Sequence, residues 1–488
     1  MSSESWFTVQ EGNRTGTVGV AAMLLEPRPL DAPAPTASRR WAPVLLGCLA
    51  LAALSLLLPS TPTYDPWAWI VWGREITQLD LVTTDGPSWK PLPALFTVPF
   101  ALFGDAAPSL WLVVARAGGL LGLVFAYRVA RRLGGPVAGG AAVGALVLAP
   151  WFFKNTALGN SEGLMAAAVL GAVDRHLGGH RRQAFALGLA AALLRPEAWP
   201  FFGLYGLWLV WRERSAVKLV AAGFASLPVL WFGPELWGSG NLNRASDRAQ
   251  EPNPNSPAFA DDPAFEVIRN AAEMITLPVA IAFVLVLVGL VLRRPAAAGK
   301  ARTVGALAVM AVAWLGIVAF MTANGFSGNQ RYLVMPVTLA IVVACVGVGW
   351  AARELPGMRT RPLIALAAVA GLVFTVPHWG KADGMFASLN YQGRLFDDLE
   401  RSVVDAGGPE RLRACGAATT GAFLVPTVAW RLGVHANAIE LVPELPGVVF
   451  RVSTIPGSDP VPPLGPLGGR PLETFAINGH WRLLGACA

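Results

Sequence analysis

The sequence predicts an all-α polytopic membrane protein that carries a small α/β domain at its C-terminus. The chain has 488 residues, of which 54% are hydrophobic and only 14% are charged. Soluble domains carry roughly 25% charged residues, so the composition excludes an ordinary soluble globular class. The hydrophobic residues form about eleven apolar runs of the kind that span membranes as helices. The last ~110 residues are more polar and mix helical with alternating patterns.

The first apolar run, residues 41–58, follows a polar segment that is rich in proline and alanine. Residues 1–40 end in Arg39-Arg40 and are predicted to form a disordered cytoplasmic tail. A charged front before an apolar middle is also the pattern of a signal peptide, but no small-x-small cleavage site follows Leu58. We therefore expect a retained anchor helix.

About ten further apolar runs predict the remaining spans. They lie near residues 108–128, 136–153, 161–177, 184–198, 199–211, 217–233, 274–292, 303–321, 332–351 and 362–377. Several are close to the shortest helix that crosses about 30 Å of hydrocarbon at 1.5 Å per residue. Their boundaries are therefore approximate.

Basic residues mark every second loop of this arrangement. Arg39-Arg40 precede the first span, and further clusters follow the second, fourth, sixth, eighth and tenth spans. These clusters are Arg128, Arg131 and Arg132; Arg175, Arg181 and Arg182; Arg212, Arg214 and Lys218; Arg293, Arg294, Lys300 and Arg302; and Arg353, Arg359 and Arg361. Because cytoplasmic loops carry an excess of Lys and Arg, the pattern predicts an N-in, C-out topology.

The first outer loop, residues 59–107, contains a short apolar run from Pro91 to Phe103. Counting these ~13 residues as a crossing would invert every later loop against the positive-inside rule. We therefore expect the run to lie in the outer membrane interface. The loop is predicted to hold two surface helices, one near residues 66–79 and one near residues 93–103.

Residues 378–488 are predicted to form an extracytoplasmic α/β cap, and residues 41–377 the membrane domain. Helical patterns cover residues 392–406 and 420–432, and strand patterns cover residues 448–453, 474–478 and 481–487. Cys415 and Cys487 bracket the polar part of this segment. They are either a disulfide, if the segment lies outside the cytoplasm, or two unpaired thiols. Cys48 and Cys345 lie inside apolar runs and are expected to be core or lipid-facing residues.

The net charge of +7 at pH 7 is compatible with binding to nucleic acid. However, the Lys and Arg residues form short clusters between apolar runs, which reports topology, so nucleic acid is excluded as a partner. The five histidines are scattered and no CxxC pair occurs, so no metal-ligand spacing is present. No cofactor is predicted with certainty, and a divalent cation stays possible.

A series of short motifs follows the same order as these predicted spans and loops. They are Tyr64-Asp65-Pro66, Lys90-Pro91-Leu92, Leu102-Phe103-Gly104, Ala115-Arg116, Arg131-Arg132-Leu133-Gly134-Gly135, Asn160-Ser161-Glu162, Leu194-Arg195-Pro196-Glu197-Ala198-Trp199 and Asn329-Gln330-Arg331-Tyr332. In this order the chain resembles the GT-C superfamily of integral membrane glycosyltransferases over about residues 41–377. That superfamily includes protein O-mannosyltransferases, aminoarabinose transferases, and actinobacterial cell-wall arabinofuranosyl- and mannosyltransferases. Lys90 departs from the usual His or Pro, and the first loop has no adjacent Asp-Asp or Asp-Glu pair.

The resemblance implies transfer of a sugar, with inversion, from a polyprenyl-phosphate donor to an extracytoplasmic acceptor. The acceptor would be a glycan, lipid or protein of the envelope, and the high Ala, Gly, Pro and Arg usage suggests a bacterial plasma membrane. Two other classes stay open: a transporter or lipid flippase, and a non-catalytic envelope-assembly protein. Transporters usually bind substrate near the bilayer midplane between repeats, whereas here the polar residues gather at the outer ends of spans.

Such a transfer needs a base for the acceptor hydroxyl and cations for the leaving phosphate. Asp65 stands a few residues beyond the first span and is the candidate base. The alternative is an N-cap, since Asp before Pro favours a helix start. Lys90, Arg195 and Arg331 lie at outer ends of helices and are the phosphate-binding candidates. They could instead snorkel to headgroups, and Arg195 could pair locally with Glu197.

Several other residues are secondary candidates. Asp80 and Asp85 occupy a Thr/Gly turn in which Asp is favoured for local hydrogen bonds. Arg116 lies inside the second span, where a charge is costly, and pairing with Glu162 is the favoured interpretation.

The aromatic and histidine side chains outside the membrane spans have more ordinary interpretations. The tryptophans of the first outer loop are expected in the interfacial belt, with stacking on sugar rings as the alternative. His435 and His480 have no partners at suggestive spacing in the sequence and are expected to be surface or core residues of the cap.

Overall fold

The computed structural model describes residues 41–292, 298–354, 382–464 and 471–487, together with Val369, Val373 and Val376. The predicted tail at residues 1–40 lies outside the described residues. Nearly all of the span predicted at residues 362–377 lies outside them as well, as do Arg293, Arg294, Arg359 and Arg361.

Fifteen α-helices form the part of the structure described up to residue 354. They are α1 (Trp41–Leu54), α2 (Tyr64–Thr77), α3 (Pro91–Ala101), α4 (Ala107–Gly134), α5 (Pro136–Val147), α6 (Pro150–Ala157), α7 (Glu162–Leu177), α8 (Arg181–Ala192), α9 (Trp199–Arg212), α10 (Val217–Ser239), α11 (Arg244–Ala249), α12 (Pro263–Met274), α13 (Leu277–Leu292), α14 (Ala298–Ala323) and α15 (Val334–Glu354). Each predicted apolar run falls on one or more helices where the structure describes it, with breaks within some of the runs. The short α11 and α12, in the loop between α10 and α13, were not predicted.

Four helical segments among the described residues are long and apolar enough to cross a membrane, and they include α4, α10, α14 and α15. Two bent pairs raise the number to six if each is one span: α5 with α6, bent by 66°, and α12 with α13, bent by 108°. The first bend falls where Pro150 begins α6, because proline is favoured in a first turn and ends a preceding helix. The chain is a multi-pass membrane protein. The predicted count of about eleven spans and the N-in, C-out orientation stay predictions.

Close packing of α4 against α7 forms the centre of the helical domain. A Cβ placed on Gly163 of α7 would lie 2.9 Å from the Cα of Gly119 in α4. Small residues allow such close backbone approach, which stabilises helix pairs in membranes through van der Waals contact. This pairing holds the N-terminus of α7 beside the outer loops. Helix α15, which is largely buried, packs against both helices.

Helix α2 of the first outer loop is largely buried within the protein, whereas α3 exposes Leu95. Helix α2 packs against α3, and Gly73 permits this because a Cβ there would lie 2.5 Å from the carbonyl oxygen of Thr97. Trp67, Trp69 and Trp72 are each at most 2% exposed. The expectation of an interfacial tryptophan belt was therefore wrong for these residues, and so was that of a surface position for α2. Residues 66–73 of α2 are all buried, so the tryptophans of this helix pack against other parts of the protein.

The C-terminal cap contains α16 (Ala382–Asp405), α17 (Gly408–Ala414) and α18 (Val425–Leu432). Its strands are β1 (Ala417–Thr420), β2 (Ile439–Glu440), β3 (Gly447–Val452), β4 (Glu473–Asn478) and β5 (Trp481–Ala486). They form one sheet in the order β2-β1-β3-β5-β4. Strand β1 is parallel to β2 and β3, whereas β5 is antiparallel to β3 and β4.

The cap confirms a small C-terminal α/β unit and changes its details. The three predicted strands are present within one residue of their predicted ends. Strands β1 and β2 and helix α17 were missed because each is too short to carry a clear periodicity. The helix predicted at residues 420–432 begins only at Val425, after strand β1 and a 3₁₀ turn.

The cap also resolves the alternatives for the cysteines. Cys415 and Cys487 form a disulfide that closes a loop of 72 residues, as predicted. The disulfide links the end of α17 to the end of β5, the last strand of the cap. Cys48 and Cys345 are buried free thiols.

Replacing Cys415 and Cys487 together by serine should lower the free energy of unfolding of the cap by about 2–4 kcal/mol, because a 72-residue loop is no longer closed in the unfolded chain. Limited proteolysis of the purified protein over a denaturant series measures this. Cys48→Ala is the matched control and should leave cap cleavage unchanged. Equal resistance of the double serine variant and the wild type would contradict the prediction.

Candidate active site

A cavity of about 1270 Å³ opens where the first outer loop, the segment from α6 to the start of α7 and the turn before α15 meet. Its wall contains side chains from five separate parts of the chain, including the loop between α10 and α12 and the cap. The polar residues that line it include Asp65, Lys90, Asn155, Asn160, Arg331 and Tyr332. Three of the residues singled out from the sequence, Asp65, Lys90 and Arg331, therefore line one cavity.

Asp65 lies in the first turn of α2 and is paired with Arg331. The Oδ2 atom of Asp65 is 3.0 Å from Nη1 of Arg331, and the Asp65 side chain is 13% exposed. Burial by itself would raise the pKa of the Asp65 carboxyl. Nearby Arg331 and Lys90 outweigh it and hold that pKa below its usual range. Asp65 is therefore an ionised carboxylate at the cavity wall.

The N-cap interpretation of Asp65 was wrong. The N-cap of α2 is Thr63, whose carbonyl oxygen accepts from the backbone N–H of Trp67 at 3.0 Å. The Thr63 hydroxyl points away from the helix and donates to Oδ1 of Asn160 at 2.7 Å. Asn160 in turn donates to Oδ1 of Asn155 at 3.0 Å. This chain of hydrogen bonds fixes the start of α2 to the segment between α6 and α7.

Arg331 lies on a short 3₁₀ turn, Gln330–Leu333, that leads into α15. The side chain of Asn329 caps this turn by accepting from the backbone N–H of Arg331. The Arg331 side chain is 26% exposed, so its guanidinium contacts Asp65 and still reaches the cavity. An arginine presents five N–H donors in a planar fork, which leaves donors for a second anion.

Lys90 is the N-cap residue of α3, directly before Pro91. Its Nζ lies 3.4 Å from the hydroxyl of Ser161 and 5.1 Å from the ring centroid of Trp69, a cation–π contact. Burial is the main reason that its pKa falls to about 8, and Arg195 lowers it further while Asp65 opposes the shift. Lys90 is therefore a cation near neutral pH that loses its charge at moderately alkaline pH.

Arg195 lies behind the cavity wall. It is 4% exposed, pairs with Glu162, and has Nη1 at 3.6 Å from Oε1 of Glu197. Its guanidinium also lies 4.5 Å from the ring centroid of Tyr332, the neighbour of Arg331. The expected Arg195–Glu197 pair is present. The arrangement places one cation between two buried carboxylates and supports the turn that carries Arg331.

Arg116 has partners other than the expected Glu162, which pairs with Arg195 instead. The Arg116 guanidinium donates to the carbonyl oxygen of Ala157 at 2.8 and 3.1 Å and to the hydroxyl of Ser55 at 2.8 Å. Arg116 therefore ties α4 to the end of α6 and to the segment after α1.

Asp80 and Asp85 are absent from the cavity wall. The Oδ2 atom of Asp80 lies 3.1 Å from Nε2 of His435, and Nδ1 of His435 lies 2.9 Å from Oε1 of Glu75. His435 therefore joins the cap to the end of α2, which corrects its interpretation as an ordinary surface or core residue. Arg74 adds two bonds to cap carbonyls, those of Trp430 and Val434. No spacing in the sequence could reveal contacts across some 360 positions.

The structure also adds a wall of the cavity that the sequence did not indicate. Most residues from Arg248, at the end of α11, to Ala260 line it together with Glu266 and Asn270 of α12. Phe423 of the cap closes part of the opening and contacts the ring of Tyr64 at 6.3 Å between centroids. The loop is polar and irregular, so no periodicity or motif marked it in advance. Within the described residues, no group of three or more His, Cys, Asp or Glu side chains could hold a metal ion.

The fold of the described residues is similar to that of solved structures. The chain is similar to ArnT from Cupriavidus metallidurans bound to undecaprenyl phosphate, with a TM-score of 0.56, 14% identity, and coverage of 92% of this chain and 98% of that one. The apo state of ArnT matches at the same TM-score with 15% identity. The oligosaccharyltransferase of Archaeoglobus fulgidus matches at a TM-score of 0.44 with 15% identity, over 76% of this chain and 56% of that one. No family model and no curated protein sequence matches the chain.

These similarities confirm the GT-C fold that the sequence predicted. At 14% identity the similarity to ArnT shows the fold alone and does not show the reaction.

Arg195→Gln should destabilise the protein by roughly 3–5 kcal/mol, because it leaves Glu162 and Glu197 buried without their cation. Chemical unfolding in mixed micelles measures the change. Arg331→Gln is the matched comparison and should cost clearly less, since its ion pair is more exposed. Equal losses for the two variants, or no loss for Arg195→Gln, would contradict the positioning role of Arg195.

Proposed function

We propose that the protein is a glycosyltransferase that moves a sugar, with inversion, from a polyprenyl-phosphate donor to an acceptor of the bacterial cell envelope. The observation that carries the proposal is the convergence of Asp65, Arg331 and Lys90 on one cavity. A carboxylate beside two cations meets the needs of a transfer that deprotonates a hydroxyl and releases a phosphate. The fold shared with ArnT, whose structure contains undecaprenyl phosphate, supports this choice of donor.

In this proposal Arg331 and Lys90 bind the phosphate of the donor. Arg331 supplies a planar fork that suits phosphate oxygens, and Lys90 supplies a compact charge. The polyprenyl chain lies in the bilayer beside the helices. Arg195 does not touch the phosphate in this scheme but positions Arg331 through Tyr332.

Asp65 is the proposed base. The acceptor oxygen attacks the anomeric carbon of the donor sugar as its proton passes to the Asp65 carboxylate. The bond between that carbon and the phosphate oxygen breaks, and its electron pair stays on the polyprenyl phosphate. Arg331 and Lys90 stabilise the negative charge that develops there. Attack from the face opposite the phosphate inverts the configuration of the sugar.

The acceptor is proposed to enter from the side formed by residues 248–260 and the cap, which line the cavity. By the distribution of basic loops, this side is extracytoplasmic. A glycan, a lipid headgroup or a protein side chain would each supply the hydroxyl that the proposed reaction requires.

The test is transfer from radiolabelled polyprenyl-phosphate sugars to envelope acceptors by the purified protein. Asp65→Asn should lower kcat by about 10²–10⁴-fold, because an amide cannot accept the proton. Thr63, not Asp65, caps α2, so the variant should fold normally. Asp105→Asn is the matched control, since Asp105 lies in the same outer loop with its side chain 84% exposed.

Two results would overturn the proposal in different ways. Full activity of a folded Asp65→Asn variant would remove Asp65 as the base and return attention to Asp80 and Asp85. Absence of transfer from every donor sugar by wild-type protein would favour the transporter or assembly alternatives.

Binding of polyprenyl phosphate should weaken as the pH rises through about 8, the pKa of Lys90, because only the protonated amine attracts the phosphate. Between pH 7 and pH 9 the neutral fraction rises to about 90%, so a drop of about tenfold is expected. Lys90→Arg should show a flat profile over this range, since a guanidinium stays charged. The phosphate itself titrates near pH 6 and affects both proteins equally. Parallel profiles for the two proteins would show that Lys90 does not bind the phosphate.

A further inference from the structure

A second charged cluster lies at the far ends of α4 and α7. It surrounds Asp174, whose side chain is 0% exposed, about 18 Å along α7 from Glu162 at 1.5 Å per residue. The Oδ1 atom of Asp174 is 3.2 Å from Nε of Arg128 and 3.3 Å from Nε of Arg132. Its Oδ2 atom is 2.5 Å from Nη2 of Arg175. Three guanidinium groups therefore converge on one carboxylate.

This cluster is not neutral, because its single carboxylate compensates only one of the three positive charges. Each arginine has five N–H donors, and the described contacts use only some of them. Arg132 donates once more, from Nη1 to the carbonyl oxygen of Asp174 at 3.1 Å. The side chains of Arg128 and Arg132 are 35% and 31% exposed, so their remaining donors are accessible. An excess of charge with accessible donors favours binding of an anion.

The surroundings of the cluster indicate which kind of anion fits. Trp41 lies under two of the guanidiniums, at 4.8 Å from Arg128 and 4.5 Å from Arg175. Tryptophan is enriched at the level of lipid headgroups. Helix α1 runs from Trp41 along α4 and exposes Leu45 and Leu46, at 43% and 65%. The basic cluster is therefore bordered directly by exposed apolar side chains of α1.

We infer that this cluster binds the phosphate of an anionic phospholipid. Arg128 and Arg132 contact the headgroup, Asp174 and Trp41 hold the guanidiniums in place, and the acyl chains lie on the exposed leucines of α1. A basic pocket between helices at a membrane surface suits such a headgroup. A soluble phosphate shares the headgroup chemistry but has no use for the apolar face. The inference gives a role to Arg132 and is independent of the proposed transfer reaction.

The test is lipid binding by the full-length protein in detergent, followed by native mass spectrometry. Phosphatidylglycerol should bind at least about tenfold more tightly than phosphatidylcholine with the same acyl chains. The double variant Arg128→Gln with Arg132→Gln should lose that preference. Arg131→Gln is the matched control and should keep it, because Arg131 lies on the ring of Tyr127 and not at Asp174.

Three outcomes would overturn the inference. Equal binding of the two lipids by wild-type protein would show that no anionic headgroup site exists, and this comparison stands even if the double variant fails to fold. An equal loss in Arg131→Gln would reduce the effect to general surface charge. Displacement of phosphatidylglycerol by the same concentration of glycerol phosphate would show a site for a free anion and not for a lipid.

Discussion

The ion pair between Asp65 and Arg331 joins the first outer loop to the turn before α15. These two segments lie far apart in the sequence. The surrounding structure can be understood from what this pair requires. Helix α2 has to be held rigidly, and its tryptophans are packed between α3, α4 and the cap. The turn that carries Arg331 also has to be held in place, and the contact of Arg195 with the ring of Tyr332 supports it. The cap fixes the other end of α2 through Arg74 and His435.

Charge balance connects this pair to the proposed chemistry. Asp65, Glu162 and Glu197 face Lys90, Arg195 and Arg331, so the group is formally neutral when the cavity holds no ligand. A phosphate entering beside Arg331 and Lys90 competes with Asp65 for the guanidinium. In our proposal, loss of part of that contact raises the pKa of Asp65 from its low value and makes it a better base. Donor binding would then activate the base directly.

The sequence predicted the parts of this arrangement that depend on hydropathy and on charge position. Asp65, Lys90 and Arg331 each follow or precede an apolar run, and the structure brings them to one cavity. The sequence did not predict the burial of Trp67, because a periodic pattern of apolar residues cannot distinguish a lipid-facing surface from a protein-facing one. Contacts such as that of His435 with Glu75 depend on the docking of distant elements, which leaves no local pattern. Strand β2, with two residues, is too short for any periodicity.

The most direct test of the central claim is a structure of the full-length protein with undecaprenyl phosphate, determined in lipid nanodiscs. The account predicts phosphate density within about 2.7–3.2 Å of both the Arg331 guanidinium and the Lys90 ammonium, with Asp65 facing the open side of the cavity. Phosphate density elsewhere, with the Asp65–Arg331 pair unchanged and the cavity unoccupied by the lipid headgroup, would contradict it.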